Sequence, residues 1–185
     1  AAIGLYNCAR GRRELNRVVL RAGDPAPDFT LTASDGRTYR LADFRGRQMV
    51  VIAWFPKAFT SDCAIQCESI GAHGRRLRDT GAAIFGANVD TVETNRAFAA
   101  ALGFDMPVLS DPSKATARAY GVIGASGFPS RSTFYIGADG RILSIDADVR
   151  VSSNGLDIED TLRQLLGHKT AADEGPPRRG IPRGL

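Results

Sequence analysis

The stretch Met49-Val50-Val51-Ile52-Ala53-Trp54-Phe55-Pro56-Lys57-Ala58-Phe59-Thr60-Ser61-Asp62-Cys63-Ala64-Ile65-Gln66-Cys67 passes from a continuous apolar run, through a short polar loop, into a helical pattern. A short apolar run rich in β-branched residues reads as a strand buried on both faces. Pro56 ends it, because proline has no N–H to give to a ladder. From Thr60 or Ser61 to about Asp79 the pattern is helical. Cys63 then falls in the first turn of a helix, where free backbone N–H groups and the helix dipole favour a negative charge. Such a setting stabilises a thiolate, the nucleophilic form of cysteine. An inert buried thiol is the plainer reading of Cys63, an N-cap of Thr60, and a strand stop of Pro56.

Upstream, Phe29, Leu31 and Tyr39, Leu41 flank Ser34-Asp35-Gly36-Arg37, which predicts a β-hairpin around an Asp-Gly turn. Gly23-Asp24-Pro25-Ala26-Pro27 is the loop that opens the domain. Downstream, Ala82–Val89 predicts a second buried strand, and Thr91–Leu102 an amphipathic helix closed by Gly103. A short strand at 107–109 and a helix at 114–120 follow, then strands at 132–136 and 142–145 joined by the tight turn Gly137-Ala138-Asp139-Gly140. Ile158–Leu166 is the last predicted helix, ended by Gly167. Alternating strands and helices with a terminal antiparallel hairpin imply an α/β fold: a central mixed sheet covered by helices on both faces. This is the element order of a thioredoxin-like fold carrying an N-terminal β-hairpin.

Composition sets the outer limits. Hydrophobic residues make up 43% of 185, enough for one packed domain. Three regions are expected: a basic extension over residues 1–22, the domain over 23–167, and a disordered tail rich in Pro, Gly and Arg over 168–185. Residues 1–22 hold five Arg and one Glu, and residues 168–185 hold four Lys/Arg and two acids. The middle carries 15 basic against 17 acidic residues, so the net charge of +4 resides in the ends. A nucleic-acid face needs basic residues gathered on the folded body, so no nucleic-acid partner is expected. No apolar run approaches the length of about 18 residues needed to span a membrane. Val18-Val19-Leu20 is too short for a signal peptide, although the chain starts at Ala1 and a removed signal stays open; the expected location is cytoplasmic. Cys8, Cys63 and Cys67 are too few and too oddly spaced for a disulfide framework, and with His73 and His168 they form no zinc pattern, so neither metal nor cofactor is expected. Cys8 reads as incidental, being in a terminal arm.

The segment Pro56-x-x-x-Thr60-x-x-Cys63 resembles the peroxidatic motif of peroxiredoxins, the alkyl hydroperoxide reductase and thiol-specific antioxidant family. Gly23–Phe29 looks like that family's domain opening, and Arg131-Ser132-Thr133-Phe134-Tyr135-Ile136 like the strand that carries its active-site arginine. The resemblance spans about residues 22–167 and is greatest with the bacterioferritin-comigratory, or Q-type, branch. It implies a thiol peroxidase for hydrogen peroxide and organic hydroperoxides. Cys63 would attack peroxide as a thiolate and become a sulfenic acid. Thr60 would hydrogen-bond thiolate and peroxide, and Pro56 would screen the pocket from water. Arg131 would hold a fixed charge beside the sulfur and polarise the O–O bond. Two positions depart from the family. Asp62 stands where a small residue is common, and is expected to point outward or cap the helix. Gln66 stands where Glu is common.

No cysteine follows Cys67 among these residues, so no C-terminal resolving cysteine is expected. Q-type relatives usually place the resolving cysteine five residues after the first; Cys67 is four residues on. In an intact helix the two Cα atoms lie about 6 Å apart, but their Cβ vectors run almost parallel. A Cys63–Cys67 disulfide therefore requires the first turns to unwind. Two readings stand: oxidation melts this segment and a thioredoxin-like protein reduces it, or Cys67 is a core residue and an external thiol resolves Cys63. The protein itself would be a monomer or homodimer. Rival functions are a thiol–disulfide oxidoreductase, which ordinarily uses Cys-x-x-Cys, and a holdase acting through the tails.

Overall fold

The computed structural model describes residues 19–173 of the chain, with side chains to Gly167; Cys8 and most of the basic extension lie outside them. Strands β1 (Thr30–Thr32) and β2 (Thr38–Arg40) form the expected antiparallel hairpin, turned at Gly36 with φ +83°. A 3-10 turn at Leu41–Phe44 leads into β3 (Val50–Trp54). Then follow α1 (Ser61–Ala72), α2 (Gly74–Asp79), β4 (Ala83–Asn88), α3 (Val92–Leu102), β5 (Val108–Ser110) and α4 (Ala115–Ala119). The chain closes with β6 (Ser132–Ile136), β7 (Ile142–Asp146) and α5 (Asn154–Asp173).

Five strands make one sheet in the order β5-β4-β3-β6-β7. β3, β4 and β5 run parallel, whereas β6 and β7 are antiparallel to their neighbours. β3 lies at the centre, and all five of its residues are buried. Its alternation divides the core. Val51, Ala53 and the following Phe55 pack with Cys63, Cys67, Ile70, Phe98, Ile158 and Leu162 beneath α1, α3 and α5. Val50, Ile52 and Trp54 pack on the other face with Phe29, Leu41, Tyr120 and Phe134. Both faces being covered is why the run reads as unbroken hydrophobicity rather than as alternation.

Two expectations about helices are corrected. The helix expected from residue 60 to 79 is two helices, broken at His73 with φ −98° and ψ 3°. Gly71 and Gly74 flank that break, and glycine weakens a helix interior by about 1 kcal/mol relative to alanine. The last helix starts at Asn154, not Ile158, and runs through Gly167 to Asp173. Its start is set by tertiary contact: Gly155 donates its N–H to Ser69 Oγ of α1 (3.1 Å), and a Cβ at Gly155 would collide with the Ser69 carbonyl oxygen. Periodicity cannot show such an approach. No helix among the described residues is long and apolar enough to cross a membrane.

Candidate active site

The β3–α1 connection carries the site. Phe55 continues the strand direction, and Pro56, half-buried, ends it. Asp90, just beyond β4, accepts the Ala58 N–H at Oδ2 (2.7 Å). Asp90 is held in turn by Asn88 Nδ2 (3.1 Å), and Asn88 and Asn95 exchange two buried amide hydrogen bonds of 2.8 and 2.7 Å. Thus a buried polar cluster on β4 and α3 pins the loop. Past the pin, Phe59 takes a left-handed φ of +60° although it is not glycine, a conformation that costs on the order of 1 kcal/mol or more. Its ring rests edge-on against Phe98, 5.3 Å between centroids. The turn at Phe59 aims the chain into α1.

Cys63 lies in the first turn of α1 and has no exposed surface. Thr60 is the N-cap residue, but its hydroxyl donates to the Lys57 carbonyl (3.1 Å) instead of accepting a helix N–H. A hydroxyl has one proton, so in this state Thr60 does not also donate to the sulfur. The first-turn N–H groups remain directed toward the helix start. From the opposite side comes Arg131, immediately before β6. Its Nη2 donates to Cys63 Sγ at 3.4 Å and its Nη1 to Gln66 Oε1 at 2.6 Å. The antiparallel register, Trp54 opposite Ser132, brings this side chain from 68 residues away to the end of β3.

Asp62 points outward as expected: its side chain is 68% exposed and meets Arg131 only at 3.9 Å. At that separation, with the carboxylate in solvent, the pair contributes little. Gln66, fully buried, is neutral, so the principal partners of the guanidinium are one thiol and one amide. Cys67 is also buried, one turn further along the intact helix. Burial, followed by the nearby Cys63, pushes its thiol up to about 12. Cys67 is therefore a poor nucleophile while the helix is folded.

The structure brings Cys63, Cys67, Gln66 and Arg131 into one cluster, with Thr60 and Pro56 on the loop that leads to it. Sequence reading missed Asp90 and Asn154, which contact the site loop and Gln66. An Asn at the start of an apolar period is a helix-start signal, and it marks Asn154. Nothing local marks Asp90.

A cysteine at the amino end of a helix, faced by an arginine that leads into an antiparallel strand of the central sheet, is the arrangement of a cysteine-based redox enzyme of the thioredoxin-like class. Family comparison narrows this. The model of the AhpC/TSA family matches residues 22–145. Peroxiredoxin Bcp of Escherichia coli is 31% identical over 142 residues, covering 73% of this chain and 90% of that protein. Alkyl hydroperoxide reductase E of Mycobacterium bovis is 32% identical over 127 residues, covering 67% and 83%. Among solved structures, peroxiredoxin Q of Xanthomonas campestris superposes with a TM-score of 0.71 at 27% identity, covering 79% of this chain and 96% of that one. The chain belongs to the AhpC/TSA family, the peroxiredoxins, and is a thiol peroxidase of the bacterioferritin-comigratory type.

Proposed function

We propose that Cys63 is the peroxide-attacking residue of this chain and that Arg131 activates it. The observation that carries this reading is the 3.4 Å hydrogen bond from Arg131 to the sulfur of a buried, helix-initiating cysteine. The thiolate attacks one peroxide oxygen and the O–O bond breaks. Sulfur is oxidised to Cys63–SOH, and the other oxygen leaves as alcohol or water after taking up a proton. Arg131 stabilises the thiolate and the charge developing on the leaving oxygen; a donor already in place needs no reorganisation at that moment. The absence of exposed surface at Cys63 strengthens these interactions by excluding water. Thr60, freed from the Lys57 carbonyl, would supply a further donor to the peroxide, and Pro56 a dry edge. Hydrogen peroxide and organic hydroperoxides are the proposed substrates. The second class is supported by the Mycobacterium bovis alkyl hydroperoxide reductase and by a Xanthomonas campestris bacterioferritin comigratory protein described by its alkyl peroxide reduction activity.

For the second half of the cycle, we read Cys67 as the resolving thiol. It displaces water from Cys63–SOH to form Cys63–S–S–Cys67, which a thioredoxin-like dithiol then reduces. A reducing compartment such as the cytoplasm maintains that dithiol. Burial of Cys67 in an intact helix favours the rival in which an external thiol does this work. The pH dependence separates a folded from an unwound route. Within the folded helix, disulfide formation would rise about tenfold per pH unit from 7 to 11, following the small thiolate fraction of a group held at about 12. From an unwound segment it follows an ordinary thiol and levels off above about pH 9. We expect the second profile, measured by quenched alkylation and mass spectrometry after one equivalent of peroxide. A persistent sulfenic acid with Cys67 free would reject Cys67 in favour of the external thiol.

A further inference from the structure

Gln66 touches Arg131 with one end of its amide and Asn154 with the other. Its Nε2 donates to Asn154 Oδ1 at 3.0 Å, and Asn154 Nδ2 donates on to Thr133 Oγ1 at 3.4 Å. Gln66, Asn154 and Thr133 are all fully buried, so no water stands ready to replace a lost partner. The relay runs in one direction: Thr133 accepts from Asn154, Asn154 from Gln66, Gln66 from Arg131, and the sulfur of Cys63 accepts from the other arm of Arg131.

The chemistry of the two side chains gives that direction meaning. A guanidinium has donors only, so its partner must present oxygen. A carboxamide has an oxygen at one end and an NH2 at the other, and turning it over would set donor against donor. Holding the oxygen toward Arg131 leaves the Gln66 NH2 facing away, inside the protein, where a donor without an acceptor costs as much as a hydrogen bond. Asn154 Oδ1 is the acceptor that removes this cost. It is fixed there because the first turn of α5 lies directly on α1 at Gly155 and Ser69.

Building on the assignment of Cys63 and Arg131, we propose that Asn154 is a positioning residue for peroxide reduction. By satisfying the back of the Gln66 amide, it keeps the front on Arg131 and hence Arg131 on the sulfur. A carboxylate at position 66 would depend on Asn154 less, because its charge holds the guanidinium directly. It accepts from Arg131 with either oxygen and has no N–H to leave unpaired.

A double-mutant cycle of Asn154→Ala and Gln66→Glu tests this. In the natural Gln66 background, Asn154→Ala is expected to slow single-turnover oxidation of Cys63 by hydrogen peroxide about tenfold or more, the scale of one lost buried hydrogen bond. In the Gln66→Glu background the same change is expected to cost less than about twofold, the non-additivity that marks coupled residues. Iodoacetamide alkylation of Cys63 at pH 7 should show the same pattern, and it does not require peroxide to be the substrate. Circular dichroism and thermal melts identify the variants that are folded. Equal losses in both backgrounds would mean that Asn154 merely anchors α5, and no loss with Gln66 present would mean that the relay is idle; either result overturns the proposal. A wild-type protein that alkylates rapidly but consumes no peroxide would instead count against the peroxidase reading, and the alkylation arm would still decide the role of Asn154.

Discussion

Replacing Cys63 by serine is expected to lower peroxide turnover by at least about 10⁴-fold, the scale seen when an enzyme's nucleophile is removed. Serine is close in size to cysteine, and its hydroxyl oxygen can accept from Arg131 as the sulfur does, so the fold should persist. A serine hydroxyl is not ionised at neutral pH and does not pass through a sulfenic acid. Arg131 would remain beside Gln66 but with nothing to activate. Peroxide consumption followed alongside circular dichroism checks this. A folded Cys63→Ser protein with wild-type activity would place the chemistry elsewhere.

The second large effect is expected at Arg131. Arg131→Met keeps most of the aliphatic stem and removes the charge and all five donors. The loss should be about 10²–10³-fold in the rate of Cys63 oxidation, the size associated with one preorganised donor to a developing anion. Arg131→Lys should recover only part. Lysine carries the charge, but its single ammonium lacks the planar fork that meets Cys63 Sγ and Gln66 Oε1 together. Stopped-flow rates of the three proteins, with melts as control, give the ranking Arg, then Lys, then Met. Equal rates for Lys and Met would show that charge beside the sulfur has no role.

How much of this was legible beforehand depends on the range of each contact. β3 and the start of α1 are local events: an apolar run, a proline and a helical period lie within twenty residues, and all are visible in the sequence. The mixed sheet followed from the order of strands and helices. The break at His73 was hidden because the apolar period continues across it, and only the flanking glycines hint at it. The start of α5 was missed although Ser153 and Asn154 are helix-start residue types; what seats it there, Gly155 against Ser69 86 residues away, is not local.

The site divides in the same way. Cys63 and Thr60 belong to one short motif, and Arg131 was found only because its strand resembles that of a known family. The support behind them is non-local. Asp90 holds the Ala58 N–H from 32 residues away, and Asn154 holds Gln66 from 88 residues away. Short polar side chains such as these carry no periodic signal, and their importance comes from burial and partner geometry, which the fold creates.

The most direct test of the central claim is to expose the Cys67→Ser protein to one equivalent of hydrogen peroxide in the presence of dimedone and to locate the adduct by peptide mass spectrometry. With Cys67 removed, a Cys63–Cys67 disulfide cannot consume the product. The account predicts one dimedone adduct per chain, on the peptide containing Cys63, formed within the time of peroxide consumption. Peroxide consumed with Cys63 unmodified, or an adduct confined to Cys8, would contradict it.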